Sequence, residues 1–384
     1  MASLAIAAPE FASPSVTFIR DHARLISPKR TVLLSRANED LGFLKYPAIT
    51  GISTPHNLFP AFLPGRVVKA TNTFGRRFFG LKRMSLPKSD VDRCVDFLKS
   101  HQCDAMMTEF LTEGVAFMEV AVKAGVRLYP HAHGFDVTSV PQSEKRWTSA
   151  YIELFSVASG VFVPSAYLAD RVEALGCPSD KITISPCGVA PDQFPEALRK
   201  RGRILAVGRL VEKKAPQQTI RAFAIACDEH PDARLDIVGD GPLKNACKAL
   251  AEQLGVVERV TFHGALPHDA VRTLMQSASV FAQHSIVASN GDTEGLPVAI
   301  LEAMASGLPV VSTRHSGIPE AVQATVTGLL VDEYDFRAMG TALAQLLSEP
   351  ASAARMGRAG RSKVEQCFTQ THMIQILRKT ILGV

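Results

Sequence analysis

The feature that most constrains the fold is a repeated alternation of short apolar runs with helical patterns. In the first half, the runs predicted to be strands include 4–8, 31–35, 105–108, 126–131 and 161–164. Helical patterns lie between them, for example at 91–101 and 114–124. This alternation is typical of βα units, whose strands pair in parallel. The first half is therefore predicted to form a mostly parallel sheet.

The same rhythm restarts after a polar stretch at 195–203. Five further runs are predicted to be strands, at 204–208, 235–239, 260–264, 280–283 and 308–313. Helices are expected between them, among them 220–229 and 295–307. The chain is predicted to be an α/β protein of two Rossmann-like doubly wound domains, 1–195 and 196–366, that face a ligand-binding cleft. A final helix at 367–384 is expected to pack back toward the first domain.

Composition excludes several classes of protein. Apolar residues make up 46% and charged residues 21% of the chain, and the formal charge of +5 does not by itself indicate nucleic-acid binding. The seven cysteines form no CxxC pair, so neither disulfides nor a zinc site is expected. No apolar run reaches the ~18 residues that a membrane-spanning helix needs, so no such helix is expected. The run at 4–8 follows no basic residue and is interpreted as a strand, not as a signal peptide. The odd number and irregular spacing of the cysteines favour reduced thiols in a cytoplasm.

The most informative segment is GDTEGLPVAILEAMASGLPVV at 291–311. Glu294 follows a strand, and Gly295 lets a ligand approach the backbone. Pro297 suits the first turn of a helix, whose free N–H groups can bind phosphate. Glu302 interrupts an apolar helix, where a carboxylate needs a polar partner such as ribose hydroxyls. An internal salt bridge or a solvent-facing glutamate is the alternative.

The segment GRLVEKKAP at 208–216 directly follows the predicted strand 204–208. Arg209 and Lys214 are expected at the carboxyl edge of that strand. Two cations there could hold a diphosphate and stabilise the charge that develops as it leaves. The alternative is a solvated basic turn in which Lys213 and Lys214 are ordinary surface residues.

Two further segments are predicted to belong to the first domain's side of the cleft. PHAHGFDVT at 130–138 places His133 and Asp136 in an H-x-x-D pattern around a glycine, at the end of a predicted strand. A functional role is favoured over a structural one, because two histidines share this loop. The stretch from Leu41 to Lys88 has eight basic and no acidic residues. Its phenylalanines favour contact with an anionic membrane over a solvated loop.

Signals for metal and dinucleotide binding are weak. The DxD at 90–92 precedes a helix and is interpreted as a cap. The GxG at 239–241 lacks the third glycine of the dinucleotide fingerprint, which argues against a nicotinamide-dependent dehydrogenase. Neither a metal nor any other cofactor is expected.

Together these motifs resemble glycosyltransferase family 4, the retaining enzymes of GT-B architecture. The resemblance covers nearly the whole chain, and its most specific part is the two glutamates, Glu294 and Glu302, around Gly-Leu-Pro. More narrowly, the chain is similar to bacterial exopolysaccharide transferases of the colanic acid and amylovoran type. The segments that carry the resemblance are 11–19, 133–138, 163–189, 207–216, 237–243, 292–313 and 317–322.

The resemblance implies a retaining hexosyltransferase with an N-terminal acceptor domain and a C-terminal donor domain. UDP-glucose or UDP-galactose is the expected donor. The expected acceptor is a saccharide, or a saccharide on a polyprenyl diphosphate at the inner face of the cytoplasmic membrane. A non-catalytic sugar-nucleotide-binding protein and a sugar-nucleotide epimerase of the same architecture are the alternatives.

The resemblance also implies residue roles. Glu294 would contact the donor sugar, Glu302 the ribose, and His133 would lie beside the sugar. The implied catalytic set is His133, Arg209, Lys214 and Glu294. The implied donor-binding set is Arg209, Lys214, Gly264, Ala265, Leu266, Glu294, Gly295, Leu296, Pro297 and Glu302. The residues expected on the acceptor side are Arg76, Arg77 and Asp136.

Overall fold

The restarting alternation of apolar runs corresponds to two separate parallel sheets in the computed structural model, which describes residues 3–13, 16–53, 84–195 and 199–384. Each sheet belongs to its own compact unit. The first unit takes residues from the ranges 1–163, 168–185 and 374–384, and the second from 164–167 and 186–373.

The described residues of the first unit contain seven strands. They are β1 (Ser3–Ala8), β2 (Thr31–Ser35), β3 (Ala48–Ile49), β4 (Cys103–Glu109), β5 (Arg127–His131), β6 (Val161–Val163) and β7 (Ile182–Ile184). All pair in parallel, in the order β3-β2-β1-β4-β5-β6-β7. The order reverses between β1 and β4, so the carboxyl ends of these two strands flank the topological switch point.

Helices connect these strands. They are α1 (Thr17–Leu25), α2 (Lys88–Ser100), α3 (Leu111–Ala124), α4 (Phe135–Thr138), α5 (Val140–Ser143), α6 (Arg146–Val157) and α7 (Ala166–Ala174). The last helix of the chain, α15 (Gln370–Leu382), ends in residues that belong to the first unit. There, Arg378 donates hydrogen bonds to the carbonyl groups of Leu25 and Ile26, both at 2.9 Å.

The second unit repeats this plan. Its strands are β8 (Arg203–Val207), β9 (Arg234–Val238), β10 (Val260–Gly264), β11 (Val280–Gln283), β12 (Val310–Thr313) and β13 (Gly328–Val331). They pair in parallel in the order β10-β9-β8-β11-β12-β13, which reverses between β8 and β11. Its helices are α8 (Pro216–Glu229), α9 (Lys244–Gln253), α10 (His268–Ser277), α11 (Val298–Ala305), α12 (Ile318–Ala321), α13 (Phe336–Ser348) and α14 (Pro350–Cys367).

Both faces of the second sheet are covered, as its continuous apolar strands require. Successive side chains of a strand point to opposite faces. In β11, Val280 and Ala282 therefore join the core that includes α8, α9 and α13. Phe281 joins the core that includes α10 and α11.

The predicted α/β class with two Rossmann-like sheets is confirmed. Two details differ in the second half. Five strands are predicted there, and the structure adds β13, a four-residue strand at the edge of the sheet whose short apolar run carries little periodic signal. The helix predicted at 295–307 begins only at Val298, and Pro297 precedes its first turn as the N-cap.

Candidate active site

Two loops meet at the carboxyl edge of the second sheet. One follows β8 and spans 208–215, and the other follows β11 and spans 284–297. β8 and β11 are the neighbours between which the strand order reverses. Because ligands of open α/β sheets bind outside the strand ends at this point, this edge is the first candidate for a ligand site in the second unit.

Side chains of the first loop hold the second loop in place. The Glu212 carboxylate accepts hydrogen bonds from the backbone N–H and the hydroxyl of Ser289, at 2.8 and 2.7 Å. The next residue, Lys213, donates to Asp292 Oδ1 at 2.9 Å and is only 9% exposed. The alternative of a solvated basic turn, with Lys213 as a surface residue, is therefore wrong.

Lys214 and Glu294 form an ion pair at the centre of this arrangement. Lys214 Nζ lies 3.2 Å from Glu294 Oε1, and both side chains are largely buried. Burial lowers the pKa of Lys214, and the charges of Lys213 and Arg209 add to this effect against the opposing Glu294. Burial alone would raise the pKa of Glu294, but Lys214 and Lys213 outweigh it and hold that pKa below its usual value. The Glu294 carboxylate is therefore ionised.

The other predicted diphosphate ligand, Arg209, has an exposed side chain. It lies between the end of β8 and a 3-10 turn at Glu212–Lys214. Ala215 then adopts a left-handed conformation, with φ of 38°, and α8 begins at Pro216. This abrupt turn keeps Lys214 and Arg209 at the same edge of the sheet.

The glycines at 239 and 241 have a packing role in the structure. Leu210 N–H donates to the Asp240 carbonyl at 2.9 Å, which joins the loop after β8 to the loop after β9. A Cβ at Gly239 would lie 2.0 Å from the Gly208 carbonyl oxygen, and its φ of +134° also favours glycine. Gly239 therefore permits the close approach of the two loops, a requirement that differs from that of a dinucleotide fingerprint.

Glu302 has the polar partner that the sequence analysis required, and that partner is a histidine. His268 Nε2 lies 2.7 Å from Glu302 Oε1, and this hydrogen bond raises the pKa of His268. His268 is the first residue of α10 and follows Pro267, close to the implied donor-binding residues Gly264 to Leu266. His268 was not predicted, because no local sequence pattern pairs it with Glu302, 34 residues away.

Residues 295–297 lead from the Glu294 loop into α11. Gly295, Leu296 and Pro297 are all buried. The N–H groups in the first turn of a helix have no partner within the helix. The start of α11 therefore offers donors beside Glu294.

A second constellation lies in the first unit, at the end of β4. The Glu109 carboxylate is fully buried. His22 Nδ1 lies 2.7 Å from one of its oxygens, and His133 Nε2 lies 2.8 Å from the other. The nearest nitrogen of His131 is 3.7 Å away. Burial alone would raise the pKa of Glu109, but His22 and His133 outweigh it and hold that pKa well below its usual value.

His133, predicted to be catalytic, is enclosed by this cluster. Its side chain is 9% exposed. The rings of Phe18 and Phe110 flank it, with centroids 4.5 and 4.8 Å from its own. Beside it, burial holds the pKa of His131 well below its usual value. His133 is therefore held in one orientation by a carboxylate and two aromatic rings.

Asp136, predicted to lie on the acceptor side, directs its carboxylate inward. It is fully buried and accepts hydrogen bonds from the backbone N–H groups of Leu111, His133 and Gly134, at 2.8, 3.0 and 3.0 Å. In the structure, this carboxylate shapes the loop that carries His133. A contact between Asp136 and an acceptor stays a prediction.

Within the described residues, His22, Glu109 and His131 are the one group of possible metal ligands with donor atoms within 4.8 Å of one another. Zinc accepts this combination of imidazole and carboxylate ligands. Here, however, histidine nitrogens lie at hydrogen-bond distance from both Glu109 oxygens. Within the described residues, His22 and His133 are thus hydrogen-bonded to Glu109, whereas neither ring nitrogen of His131 has a hydrogen-bond partner. The DxD residue Asp90 accepts a hydrogen bond from the Ser53 N–H and lies inside the first turn of α2, so it is not the predicted cap.

Arg76 and Arg77 lie outside the described residues, as does most of the basic segment Leu41–Lys88. Among the helices within the described residues, none combines the length and apolar character needed to cross a bilayer.

Comparison with known proteins shows that the chain is similar to glycosyltransferases. The family described as "Glycosyl transferases group 1" matches residues 191–363, and "Glycosyltransferase Family 4" matches residues 59–193. WcaL of Salmonella typhimurium, named as a colanic acid biosynthesis glycosyltransferase, is 33% identical over 72% of this chain and 70% of its own. The chain belongs to glycosyltransferase family 4.

Two further relatives of this family 4 chain bear similar names. WcaL of Escherichia coli K12 is 36% identical over 62% of this chain and 60% of its own length. AmsK of Erwinia amylovora, an amylovoran biosynthesis glycosyltransferase, is 34% identical over 62% of this chain and 59% of its own. The matches thus span about three fifths of these two relatives. The predicted resemblance to the colanic acid and amylovoran branch is confirmed.

The fold of this family 4 chain also has solved counterparts. HepE of Anabaena, crystallised with UDP, is 17% identical over 100% of both chains, with a TM-score of 0.79. The two Rossmann-like sheets are those of the GT-B glycosyltransferases.

Proposed function

We propose that the chain is a retaining hexosyltransferase of exopolysaccharide biosynthesis. It would move a hexose from UDP-glucose or UDP-galactose to a saccharide or a lipid-linked saccharide. The observation that carries this proposal is the buried Lys214–Glu294 pair beside the exposed Arg209, at the switch point of the second sheet. Two cations beside an ionised carboxylate suit a ligand with both a diphosphate and hydroxyl groups.

Each group has a role that follows from its chemistry. Arg209 and Lys214 bind the diphosphate and stabilise the charge that grows on it as the bond to the sugar breaks. Glu294 accepts hydrogen bonds from the sugar hydroxyls. Glu302 and His268 lie next to each other near the surface, where the ribose hydroxyls can reach the carboxylate.

The stereochemical outcome follows if the leaving phosphate oxygen takes the proton of the acceptor hydroxyl on the same face of the sugar. Such a step needs positioning and charge stabilisation rather than a protein nucleophile. The product should then keep the anomeric configuration of the donor, which NMR of the product measures. An inverted product would refute this part of the proposal.

No metal is required in this scheme, because Arg209 and Lys214 supply the positive charge that a cation supplies elsewhere. Turnover should therefore be unchanged by excess EDTA. A loss of turnover that added Mg²⁺ or Mn²⁺ restores would contradict this part of the scheme.

The donor can be identified by thermal-shift and calorimetric screens against UDP-, GDP- and ADP-sugars. We expect stabilisation by one nucleotide sugar, and release of its nucleoside diphosphate on addition of a saccharide acceptor. A non-catalytic binding protein would bind the donor without releasing nucleotide under any condition. An epimerase would change the sugar while it remains attached to the nucleotide.

The acceptor side is proposed to include the basic segment Leu41–Lys88, which would touch an anionic membrane. Eight basic and no acidic residues, with phenylalanines among them, support this. Each basic residue near anionic lipid contributes about 1 kcal/mol. Co-sedimentation with liposomes should rise with anionic lipid content and fall with salt. Replacement of Arg76, Arg77, Lys82 and Arg83 by serine should weaken it, and binding that ignores these four changes would refute the proposal.

A further inference from the structure

His315, which follows β12, binds the backbone of the Glu294 loop. Its ring is buried, and its Nε2 accepts a hydrogen bond from the Glu294 N–H at 3.1 Å. Its Nδ1 lies 2.6 Å from Glu333 Oε1. An imidazole that accepts at one nitrogen is neutral and carries its proton on the other. The partners therefore assign the tautomer: Nδ1–H donates to Glu333.

Glu333 holds the same loop at a second point. Its other oxygen, Oε2, accepts a hydrogen bond from the Val287 N–H at 2.9 Å. Val287 lies near the start of the loop after β11, and Glu294 lies near its end. One carboxylate thus fixes the start of the loop directly and its end through His315.

The residues after His315 bind the adjoining carbonyl groups. The Ser316 hydroxyl donates to the Glu294 carbonyl, and the Gly317 N–H donates to the Gly295 carbonyl at 3.1 Å. A Cβ at Gly317 would lie 2.4 Å from the Gly295 oxygen, so only glycine allows this approach. The backbone on both sides of Glu294 therefore has fixed partners, and the direction of its carboxylate follows from them.

We propose that His315 and Glu333 are positioning residues for the Glu294 carboxylate. His315 fixes the Glu294 backbone and so sets the carboxylate opposite Lys214, while Glu333 fixes the tautomer that makes His315 an acceptor. The inference rests on the proposed function, in which Glu294 contacts the donor sugar. A misplacement of about 1 Å at such a group can lower the rate of transfer on the order of a hundredfold.

Two substitutions separate the hydrogen bonds of His315 from its bulk. His315→Gln places an amide oxygen near the position of Nε2, so it can still accept from the Glu294 N–H. His315→Asn is shorter; its amide can donate to Glu333, but it cannot reach Glu294. Both variants lose the ring. Only the Asn variant loses the bond that the proposal requires.

The first test needs no donor. Amide hydrogen exchange of the intact chain, followed by mass spectrometry of peptides that cover 287–297, reports how firmly this loop is held. We expect His315→Asn to speed exchange there by about tenfold or more, while His315→Gln stays close to the wild type. Equal exchange in all three proteins would overturn the inference.

The second test uses whichever nucleotide sugar the wild type turns over. His315→Asn should lower kcat by about tenfold or more with affinity for the free nucleoside diphosphate unchanged, and His315→Gln should retain most of the wild-type kcat. Equal losses of kcat in both variants would show that the ring only packs, and would overturn the inference. If the wild type releases nucleotide from no donor, the proposed function fails, while the exchange comparison still decides the positioning of Glu294.

Discussion

Both units have charged side chains at the switch point of their parallel sheet, but these side chains are enclosed in the first unit and partly exposed in the second. In the first unit, Glu109 ends β4 at the switch point, and it is sealed among His22, His131 and His133. In the second, Lys214 and Glu294 follow the two strands at the switch point, and the exposed Arg209 stands beside them. The first site satisfies its charge internally, whereas the second keeps an additional cation that faces solvent.

This difference predicts different consequences of substitution. A carboxylate whose partners are all internal contributes to the stability of the fold, because its loss leaves buried histidines without an acceptor. A cation that faces solvent contributes little to stability and is available to a ligand. Changes in the Glu109 cluster should therefore act first on unfolding, and changes at Arg209 on turnover.

The largest effect is expected at the proposed diphosphate site. Lys214→Ala should lower kcat/KM for the nucleotide sugar by about a hundredfold, or ~2.7 kcal/mol, and Arg209→Ala by at least about tenfold, or ~1.4 kcal/mol. The reason is the loss of a positive charge where negative charge develops in the transition state. Steady-state release of nucleoside diphosphate measures both.

Arg355→Ala is the matched control, since Arg355 is an exposed cation on α14 of the same unit. It should leave kcat/KM unchanged. Arg209→Ala should also leave the thermal midpoint unchanged. If turnover is unchanged in both Lys214→Ala and Arg209→Ala, the proposed diphosphate site at this edge of the sheet is refuted.

A smaller effect is expected on the stability of the first unit. Glu109→Gln should lower the free energy of unfolding by about 2 kcal/mol at neutral pH, because an amide cannot accept from both His22 and His133. Denaturant titration with fluorescence of the single tryptophan, Trp147, reports on this unit, since Trp147 is buried in α6. Glu119→Gln, at an exposed pair with Lys123, should change it by less than about 0.5 kcal/mol.

The stability difference between the wild type and Glu109→Gln should change with pH in one direction. The pKa of Glu109 is lowered in the folded chain, so its contribution is present above the ordinary value of 4.5 and is lost as the pH falls. The difference between wild type and Glu109→Gln should therefore shrink below about pH 4.5. His131, whose pKa lies well below its ordinary 6.5, makes both proteins lose stability as the pH falls below 6.5. A difference that grows in acid would contradict the assignment of an ionised Glu109.

The smallest effect is expected on the affinity for free nucleotide, which distinguishes the two glutamates of the second unit. Glu302→Ala should weaken binding of the free nucleotide by about tenfold, or ~1.4 kcal/mol, because it removes the proposed acceptor for the ribose hydroxyls. Glu294→Ala should leave that affinity nearly intact and abolish most transfer. Calorimetry with the nucleoside diphosphate and a transfer assay measure the two effects. Equal loss of nucleotide affinity in both variants would show that the roles are not divided in this way.

Much of the fold was predictable from the sequence because it depends on local periodicity. Apolar runs marked β8 to β12 within two residues, and motifs just after those runs pointed to Arg209, Lys214 and Glu294. β13 was missed because four residues carry little periodicity. The helix start at Val298 was misjudged, because Gly295 and Leu296 continue the pattern without being helical.

The hydrogen-bond partners were beyond prediction for a different reason. Glu109 and His22 are 87 residues apart, and Glu302 and His268 are 34 apart. These pairs meet because the order of parallel strands places distant helices and strands side by side, and no local pattern records that order. The sequence therefore predicts that Glu302 needs a polar partner but does not identify His268, and it indicates His133 but not Glu109.

The most direct test of the account is a calorimetric comparison of uridine, UMP and UDP, with the guanosine series in parallel. If Arg209 and Lys214 form a diphosphate site, one diphosphate should bind at least about tenfold more tightly than its nucleoside. That advantage should disappear in the Arg209→Ala, Lys214→Ala double variant. Equal affinity for nucleoside and diphosphate in the wild type, or an advantage that survives the double substitution, would contradict the central claim that this edge of the second sheet holds the donor.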